Sequence, residues 1–424
     1  MKKVIASLMA FALVCCCAPF TGCAGEAQDE EELARKEKEA LEQKTLKARQ
    51  LKEEEARKTA EAAEEAKQAA AKAAAAKANP KQIDMAKGAS LENICKECRG
   101  TGLLPILPYK PYVKIAGQPP PNQDYPALWK ACPTCQKFLD SAAISDDMKA
   151  RQEKAVAEHE KLEGSLGTKL TLLMTPYVSV HTDLPLDKVK RVGTSLETLA
   201  DILQTKAKST VMLPTRPDTH HILLFKSDKL YDKYVDLMTP PNPAMKKASG
   251  FHSRHHAVQK TTTAQDPPHW EESLAVYSMG CLLMKEATDE KQDKSKAWLV
   301  EGFAEYCENV TLKSNYIHTI YASNTPLKFG KDYNADVRSA SGKGQLATWV
   351  KAFSFDLMNQ KVNDYLTMYS MVMFLHMSDP VRFDRMTQYI ALGDDSPVAI
   401  EKAYGKKIAE LQAFWPQWIA TTAK

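Results

Sequence analysis

Four cysteines in the first third of the chain have the spacing of a metal site. They form two C-x-x-C pairs, Cys95 with Cys98 and Cys132 with Cys135. Two intervening residues let both thiolates of a pair point at one tetrahedral ion, and the glycines after the first pair let backbone amides approach the sulfurs. Four thiolates close the coordination shell and leave no position for water. The pattern therefore predicts a structural Zn²⁺ and not a catalytic one.

Two other chemistries use the same cysteine spacing. In the oxidising compartment that an exported chain meets, the pairs would form disulfides instead. A redox-active C-x-x-C is the other alternative, although no thioredoxin-like strand and helix surround either pair. No histidine follows either pair, which excludes the usual c-type haem attachment. Residues 95–102 resemble the knuckle of zinc-ribbon and DnaJ-type cysteine-rich domains, and this resemblance implies zinc.

A second stretch, residues 277–306, carries groups with the spacing of a metal site on two helices. Tyr277 and Cys281 are one helical turn apart and share a face. Ser278 follows Tyr277 directly, and Glu301 lies on the next predicted helix. Nineteen residues, 282 to 300, separate Cys281 from Glu301.

Residues 298–306, WLVEGFAEY, resemble the second half of the active-site motif of gluzincin zinc peptidases. In that family two histidines one turn apart bind zinc, a glutamate between them activates water, and a later glutamate is the third ligand. The resemblance places the two histidines at Tyr277 and Cys281, the general base at Ser278 and the third ligand at Glu301. The scaffold half of the motif is therefore intact, while both histidines and the base are absent.

A zinc hydrolase cannot lose these three groups and keep its mechanism. Tyrosine is a poor zinc ligand, and a serine has no proton affinity near neutral pH. The sequence therefore favours packing and hydrogen-bonding roles for Tyr277, Ser278, Cys281 and Glu301, and no catalytic residue is assigned.

Two alternatives keep some chemistry at this position. In the first, Cys281 and Glu301 recruit a histidine into a rebuilt metal site; the candidates are His252, His255, His256 and His269. His252 and His256 share a face if residues 250–260 form one strand. In the second, Cys281 is a thiol nucleophile, although its apolar neighbours favour a neutral buried thiol.

The secondary-structure elements that must position these residues are predicted in a clear order along the chain, with the strands before most of the helices. Residues 170–182 alternate as in a half-buried strand, residues 221–225 form a second strand, and residues 250–260 form a third. Helices are predicted after Pro185 and over residues 227–238. This order predicts an α+β domain with a small mixed sheet and a mostly helical C-terminal part, residues 165–424. The same region resembles peptidase-MA-like domains of unknown function in exported bacterial proteins.

Four segments precede this domain. Residues 1–23 have two lysines and then an apolar run too short for a membrane span, which predicts a signal peptide. The residues before Cys23 resemble a bacterial lipobox, which implies lipidation of that cysteine and a membrane anchor. Residues 24–88 predict an Ala/Glu/Lys-rich helical spacer, 89–140 the four-cysteine module, and 141–164 a linker helix.

The charge balance and the predicted export limit the classes of function that this chain could have. The chain has 57 basic and 53 acidic residues, interleaved, which gives no basis for nucleic-acid binding. We expect an exported, non-catalytic, peptidase-like lipoprotein of the periplasm or outer envelope. Its cleft would bind a protein or peptide along the edge strand within residues 250–260. The alternatives are a metal-dependent hydrolase with an altered centre around Glu301 and Cys281, and a structural envelope protein.

Overall fold

The computed structural model describes parts of the compact unit Ser90–Lys424. The predicted signal peptide, Cys23, the spacer and the four zinc-site cysteines, Cys95, Cys98, Cys132 and Cys135, lie outside the described residues. Among the described helices, none combines the length and hydropathy that a membrane span requires. The described residues are 103–105, 111–119, 129–131, 141–206, 220–238, 243–253, 255–261, 269–288, 296–316, 332–355 and 360–423.

Two sheets occur in the described part of the chain. Strand β1 (Leu103–Pro105) pairs antiparallel with β3 (Trp129–Ala131). The larger sheet has the order β2-β4-β5-β6-β8-β7. Its central strands β5, β6 and β8 are parallel, whereas β2, β4 and β7 run antiparallel to their neighbours. The bounds are β2 Tyr112–Lys114, β4 Thr171–Met174, β5 Ser179–Thr182, β6 His221–Phe225, β7 Gly250–His252 and β8 His256–Lys260.

Helices surround this sheet and make up the described chain after β8, so the predicted α+β class is confirmed. A short π-helix, Ile202–Lys206, continues α2. The helices are α1 Ser141–Leu166, α2 Leu186–Asp201, α3 Asp228–Leu237, α4 Pro243–Lys247, α5 Trp270–Ala287, α6 Ala297–Leu312, α7 Tyr333–Gly342, α8 Trp349–Ala352, α9 Val362–Ser378, α10 Pro380–Ala391, α11 Ser396–Tyr404 and α12 Ile408–Thr422.

The sheet is covered on both faces. Ile222 and Leu224 of β6 belong to the larger core, which includes residues of α2, α5 and α6. Leu223 and Phe225 face the opposite way, into a second core with residues of α1 and α3. Every residue of β4, β5 and β6 is buried. The expected half-buried strand is therefore wrong, because helices cover both faces of the sheet. The polar residues of β5 are buried with partners: the Thr182 hydroxyl donates to the Leu224 carbonyl, and His181 contacts His221.

Two predicted strands are each a pair of strands with a turn between them. In residues 170–182, the Thr175 hydroxyl accepts from the amides of Tyr177 and Val178, which reverses the chain between β4 and β5. Pro176 has no amide proton to continue a ladder. In residues 250–260, the Ser253 hydroxyl accepts from the His256 amide at 3.0 Å and joins β7 to β8. Short polar side chains stabilise such turns through their own backbone.

Other local predictions are confirmed. Strand β6 has the predicted bounds, and α2 begins directly after Pro185. The Ser227 hydroxyl caps α3 by accepting from the Leu230 amide. The predicted linker helix is present as α1, which contributes Leu166 to the second core. Strand β2 lies within the segment predicted as the cysteine module, yet it pairs with β4, so the sheet extends across the predicted boundary at residue 165.

Candidate functional site

Helix α6 is held closely between α5 and α9 by two glycines. A Cβ atom at Gly280 of α5 would lie 2.8 Å from the Cα of Ala304 on α6. A Cβ atom at Gly302 of α6 would overlap the backbone carbonyl of Met368 on α9. Real Cβ atoms do not approach backbone atoms so closely, and the interior is already close-packed. The α5–α6 contact that carries the peptidase-like residues is therefore set by backbone packing.

Tyr277, Cys281 and Glu301 meet where these helices touch. The Tyr277 hydroxyl donates a hydrogen bond to Glu301 Oε2. Tyr277 and Cys281 are fully buried, and Glu301 is 4% exposed. The structure thus brings together the residues that the resemblance aligns with the two histidines and the third ligand. They fill the space between the helices and do not line an open cleft.

Burial keeps the Tyr277 hydroxyl and the Cys281 thiol of this centre neutral. It raises the pKa of the Tyr277 hydroxyl well above its usual range, and the Glu301 carboxylate and Cys281 raise it further. The pKa of the Cys281 thiol is also raised well above its usual range, first by burial and then by Glu301. A thiol is a nucleophile only as the thiolate. The geometry therefore gives no support to Cys281 as a nucleophile.

Ser278 and His252 lie toward the sheet side of α5. Gln259 of β8 donates through Nε2 to Ser278 Oγ at 3.5 Å, and the same nitrogen is 2.9 Å from His252 Nε2. The His252 ring centroid is 5.4 Å from that of Tyr277. His252 is thus the candidate histidine that the structure places beside the α5–α6 centre, and its Nε2 faces Gln259.

The other three candidate histidines are elsewhere. The His256 ring stacks on His221 at 5.1 Å, and the His255 ring on His220 at 5.8 Å. The expected shared face of His252 and His256 is wrong, because the β7–β8 turn pairs His252 with Ala257 and so places His256 on the opposite face. His269 precedes α5 with a side chain that is 65% exposed.

Two further carboxyls of α6 are completely buried. Glu305 Oε2 accepts from Asn315 Nδ2 at 3.0 Å. Glu308 Oε1 accepts from the Ser273 hydroxyl at 2.5 Å and from the Tyr316 amide at 2.9 Å. Burial raises the pKa of both carboxyls well above the usual range, and the charge of Glu308 raises that of Glu305 further. Burial thus favours the uncharged acid form of both groups.

A row of histidines crosses the other face of the sheet. The histidine row consists of His159 of α1, His181 of β5, His221 of β6 and His256 of β8. His159 Nδ1 is 3.0 Å from His181 Nδ1, and His181 Nε2 is 3.1 Å from His221 Nδ1. Burial lowers the pKa of His221 to about 3 and the pKa of His159 and His256 to about 4. The row is therefore a set of neutral imidazoles at neutral pH.

Next to this row lies a group that sequence reasoning missed. His220, His255 and Glu286, here called the edge triad, each offer one ligand atom, and these atoms lie within 4.8 Å of one another. Within the described residues this is the one group of three His, Cys, Asp or Glu side chains that meets this criterion. The available signal was a pair of His-His dipeptides, 220–221 and 255–256, each at the start of a strand.

No protein-family model matches this chain, and comparison with curated proteins gives no match either. Function must therefore be inferred from the site itself, because a fold by itself does not determine function.

Proposed function

We propose that residues 165–424 form a gluzincin-like domain without peptidase activity, which binds a protein or peptide in the cell envelope. The observation that carries this proposal is the hydrogen bond from the Tyr277 hydroxyl to Glu301. In a gluzincin this carboxylate would hold zinc. Here it accepts from a buried phenol, and an ion would have to break that bond.

The meeting of the aligned residues supports the family assignment. Tyr277 and Cys281 share the face of α5 that Glu301 of α6 contacts, as the family's ligand arrangement requires. Trp298, the first residue of the matching motif, is fully buried and donates through Nε1 to Ser396 Oγ at 3.0 Å. In this proposal the domain keeps the helix packing of the gluzincin family, with different residues at the positions of the zinc ligands.

Strand β7 is the proposed place of peptide binding. It is an edge strand of the sheet within the described residues. Ladder bonds from Ser253 N to His256 O and from Lys260 N to Ser249 O fix the alternation of this antiparallel pair. The backbone groups of Gly250 therefore point away from β8, where an added strand would pair with them.

The remaining parts of the proposal concern the segments before the sheet. An exported lipoprotein would be anchored through lipid on Cys23, and the helical spacer would hold the domain away from the membrane. A structural Zn²⁺ would bind Cys95, Cys98, Cys132 and Cys135. The partner is an unidentified protein or peptide, not nucleic acid.

A metal-dependent hydrolase with an altered centre is the second candidate function. The observation that favours it is the His252 ring, 5.4 Å from the Tyr277 ring and so beside Glu301 and Cys281. The two functions differ in whether Glu301 holds a metal.

Metal content of the full chain separates these functions. We expect bound zinc to be unchanged by Glu301→Gln and lost from the cysteine site in Cys95→Ser. A zinc equivalent that disappears with Glu301→Gln, accompanied by hydrolysis of a mixed peptide substrate, would overturn the non-catalytic proposal.

Peptide binding is tested on the same protein. Peptides selected from a random library on the immobilised full chain are added during residue-resolved hydrogen exchange. We expect slower exchange at the Gly250 amide and no change at the Phe251 amide, which points toward β8. Slowed exchange at other surfaces, or failure to select any peptide, would contradict binding at β7.

A further inference from the structure

The edge triad has the ligand types and spacing of a metal site that is separate from the α5–α6 centre. His220 Nε2 is 3.6 Å from Glu286 Oε2, and the ligand atoms of all three residues lie within 4.8 Å of one another. Ligand atoms around a tetrahedral ion at about 2.0–2.1 Å are roughly 3.3 Å apart. Small side-chain rotations therefore suffice to bring the three atoms onto one ion.

The sheet fixes the positions of the two histidines. The His220 carbonyl accepts from the Ser179 amide at 3.0 Å, and the His255 carbonyl accepts from the His221 amide at 2.8 Å. Both bonds extend the ladder of the parallel strands by one residue beyond the start of β6 and β8. Backbone hydrogen bonds therefore hold His220 and His255 side by side at the end of the sheet where β6 and β8 begin, before any ligand binds.

His220 supplies an independent sign of a missing ligand. Its side chain is 1% exposed, and within the described residues neither Nδ1 nor Nε2 has a hydrogen-bond partner. Buried polar side chains in folded proteins are nearly always paired, and exceptions call for an explanation such as an ion. A cation between His220 and Glu286 would bind Nε2, the ring nitrogen that faces Glu286.

The third ligand approaches from α5. Glu286 lies in the last turn of this helix, where the free carbonyls carry partial negative charge and favour a cation. Its side chain is 22% exposed, so the site is open toward solvent on this side. Lys285, the neighbouring cation, donates to the His252 carbonyl at 3.3 Å.

We propose that His220, His255 and Glu286 bind a divalent transition-metal ion, Zn²⁺ in the first instance. Two imidazoles and one carboxylate suit zinc and disfavour Ca²⁺ and Mg²⁺, which take oxygen ligands. Three protein ligands leave a fourth position for an exchangeable water or a ligand from outside the chain. The site is independent of the proposed function, because it uses neither Glu301 nor the four cysteines.

Cobalt titration of the metal-stripped full chain tests the proposal. Co²⁺ on thiolates gives an intense near-ultraviolet charge-transfer band, whereas Co²⁺ on nitrogen and oxygen ligands gives visible bands alone. We expect one equivalent of Co²⁺, apart from any bound by the four cysteines, whose binding adds visible bands without adding to the thiolate band and which Zn²⁺ displaces. The Co²⁺ affinity of this site should fall in His220→Gln, His255→Gln and Glu286→Gln. We expect each fall to exceed the roughly 10–100-fold loss of affinity that removal of an outer-shell partner causes.

The matched control is His376→Gln. His376 is also buried with neither ring nitrogen hydrogen-bonded within the described residues, but its ring contacts Tyr306 and Phe383. We expect its substitution to leave the nitrogen–oxygen cobalt signal unchanged. Equal affinity in wild type, His255→Gln and Glu286→Gln, or an equal loss in His376→Gln, would overturn the proposal. If His220→Gln fails to fold, the other two variants decide, since their side chains are partly exposed.

Discussion

The α5–α6 centre and the edge triad contain similar residue types in opposite states. At the α5–α6 centre, the residues aligned with a known metal site are packed together, and Tyr277 already donates to Glu301. At the edge triad, residues with no counterpart in a recognised motif converge, and His220 has no hydrogen-bond partner within the described residues. A ligand must break existing bonds at the first place, whereas it would supply missing bonds at the second. The two places therefore give opposite expectations for metal binding.

At the α5–α6 centre, we expect the largest loss of stability from a substitution at Gly302. In Gly302→Ala the new methyl group overlaps the Met368 carbonyl, so α6 and α9 must separate. We expect unfolding free energy to fall by about 3 kcal/mol, at the upper end of overpacking costs. Urea denaturation measures the change. The control is Gly164→Ala on α1, where a Cβ meets no atom within 4 Å and stability should rise by about 0.5–1 kcal/mol.

Tyr277→Phe breaks the hydrogen bond that distinguishes the centre. It leaves the buried Glu301 without the phenol donor, so we expect a loss of about 1–3 kcal/mol in unfolding free energy. The control is Tyr389→Phe on α10, a half-buried tyrosine whose ring faces Lys402. A loss no larger than the control's would show that the hydroxyl contributes nothing to the packed centre.

The buried acids near the centre predict a pH dependence of stability. Glu305 has a pKa well above 4.5 in the folded protein because of burial, so its stabilising contribution is complete below pH 4.5. The contribution is lost as pH rises toward the folded pKa, by up to about 1.4 kcal/mol per pH unit. Glu305→Gln keeps an acceptor for Asn315. We expect the unfolding free energy of this variant to fall less steeply with rising pH than that of the wild type between about pH 5 and 8. An unchanged slope relative to the wild type, with exposed Glu153→Gln as control, would contradict this.

The smallest effect is expected at the edge triad in the absence of metal. His220→Leu replaces a ring whose nitrogens have no hydrogen bond within the described residues, so it breaks no such bond. We expect metal-free stability to change by no more than about 1 kcal/mol, because replacing an unpaired polar group by an apolar one costs little. Thermal melts in chelator, set beside Tyr277→Phe, give the comparison. A loss as large as that of Tyr277→Phe would contradict it.

The elements that the sequence predicts correctly carry local signals. Pro185 precedes α2, Ser227 caps α3, and β6 is a continuous apolar run. The two missed turns, at Thr175 and Ser253, contain no glycine and depend on a hydroxyl that binds the nearby backbone. Serine and threonine make such turns more weakly than asparagine or aspartate do, so they are a weak turn signal, and the pattern of apolar residues does not reveal the turns.

The α5–α6 centre and the edge triad also differ in how far the sequence predicts them. The contact between Tyr277 and Glu301 follows from helical spacing and the motif on α6, so the sequence predicts which residues meet. The sequence also favours packing roles for these residues, but how closely the helices approach depends on packing against α9, which the sequence does not reveal. The edge triad joins residues 220, 255 and 286, which only the sheet register and the end of α5 bring together. No spacing rule along the chain connects them.

The packing of α6 also has an evolutionary consequence. Trp298 binds Ser396, Gly302 contacts the α9 backbone, and Glu305 binds Asn315, so much of the WLVEGFAEY segment is needed for folding. In the gluzincin-like domain that we propose, selection for a stable fold alone would retain these residues after the catalytic histidines were lost. The segment would then be shared by active peptidases and inactive relatives alike. The residues of the preceding helix are the ones that tell them apart.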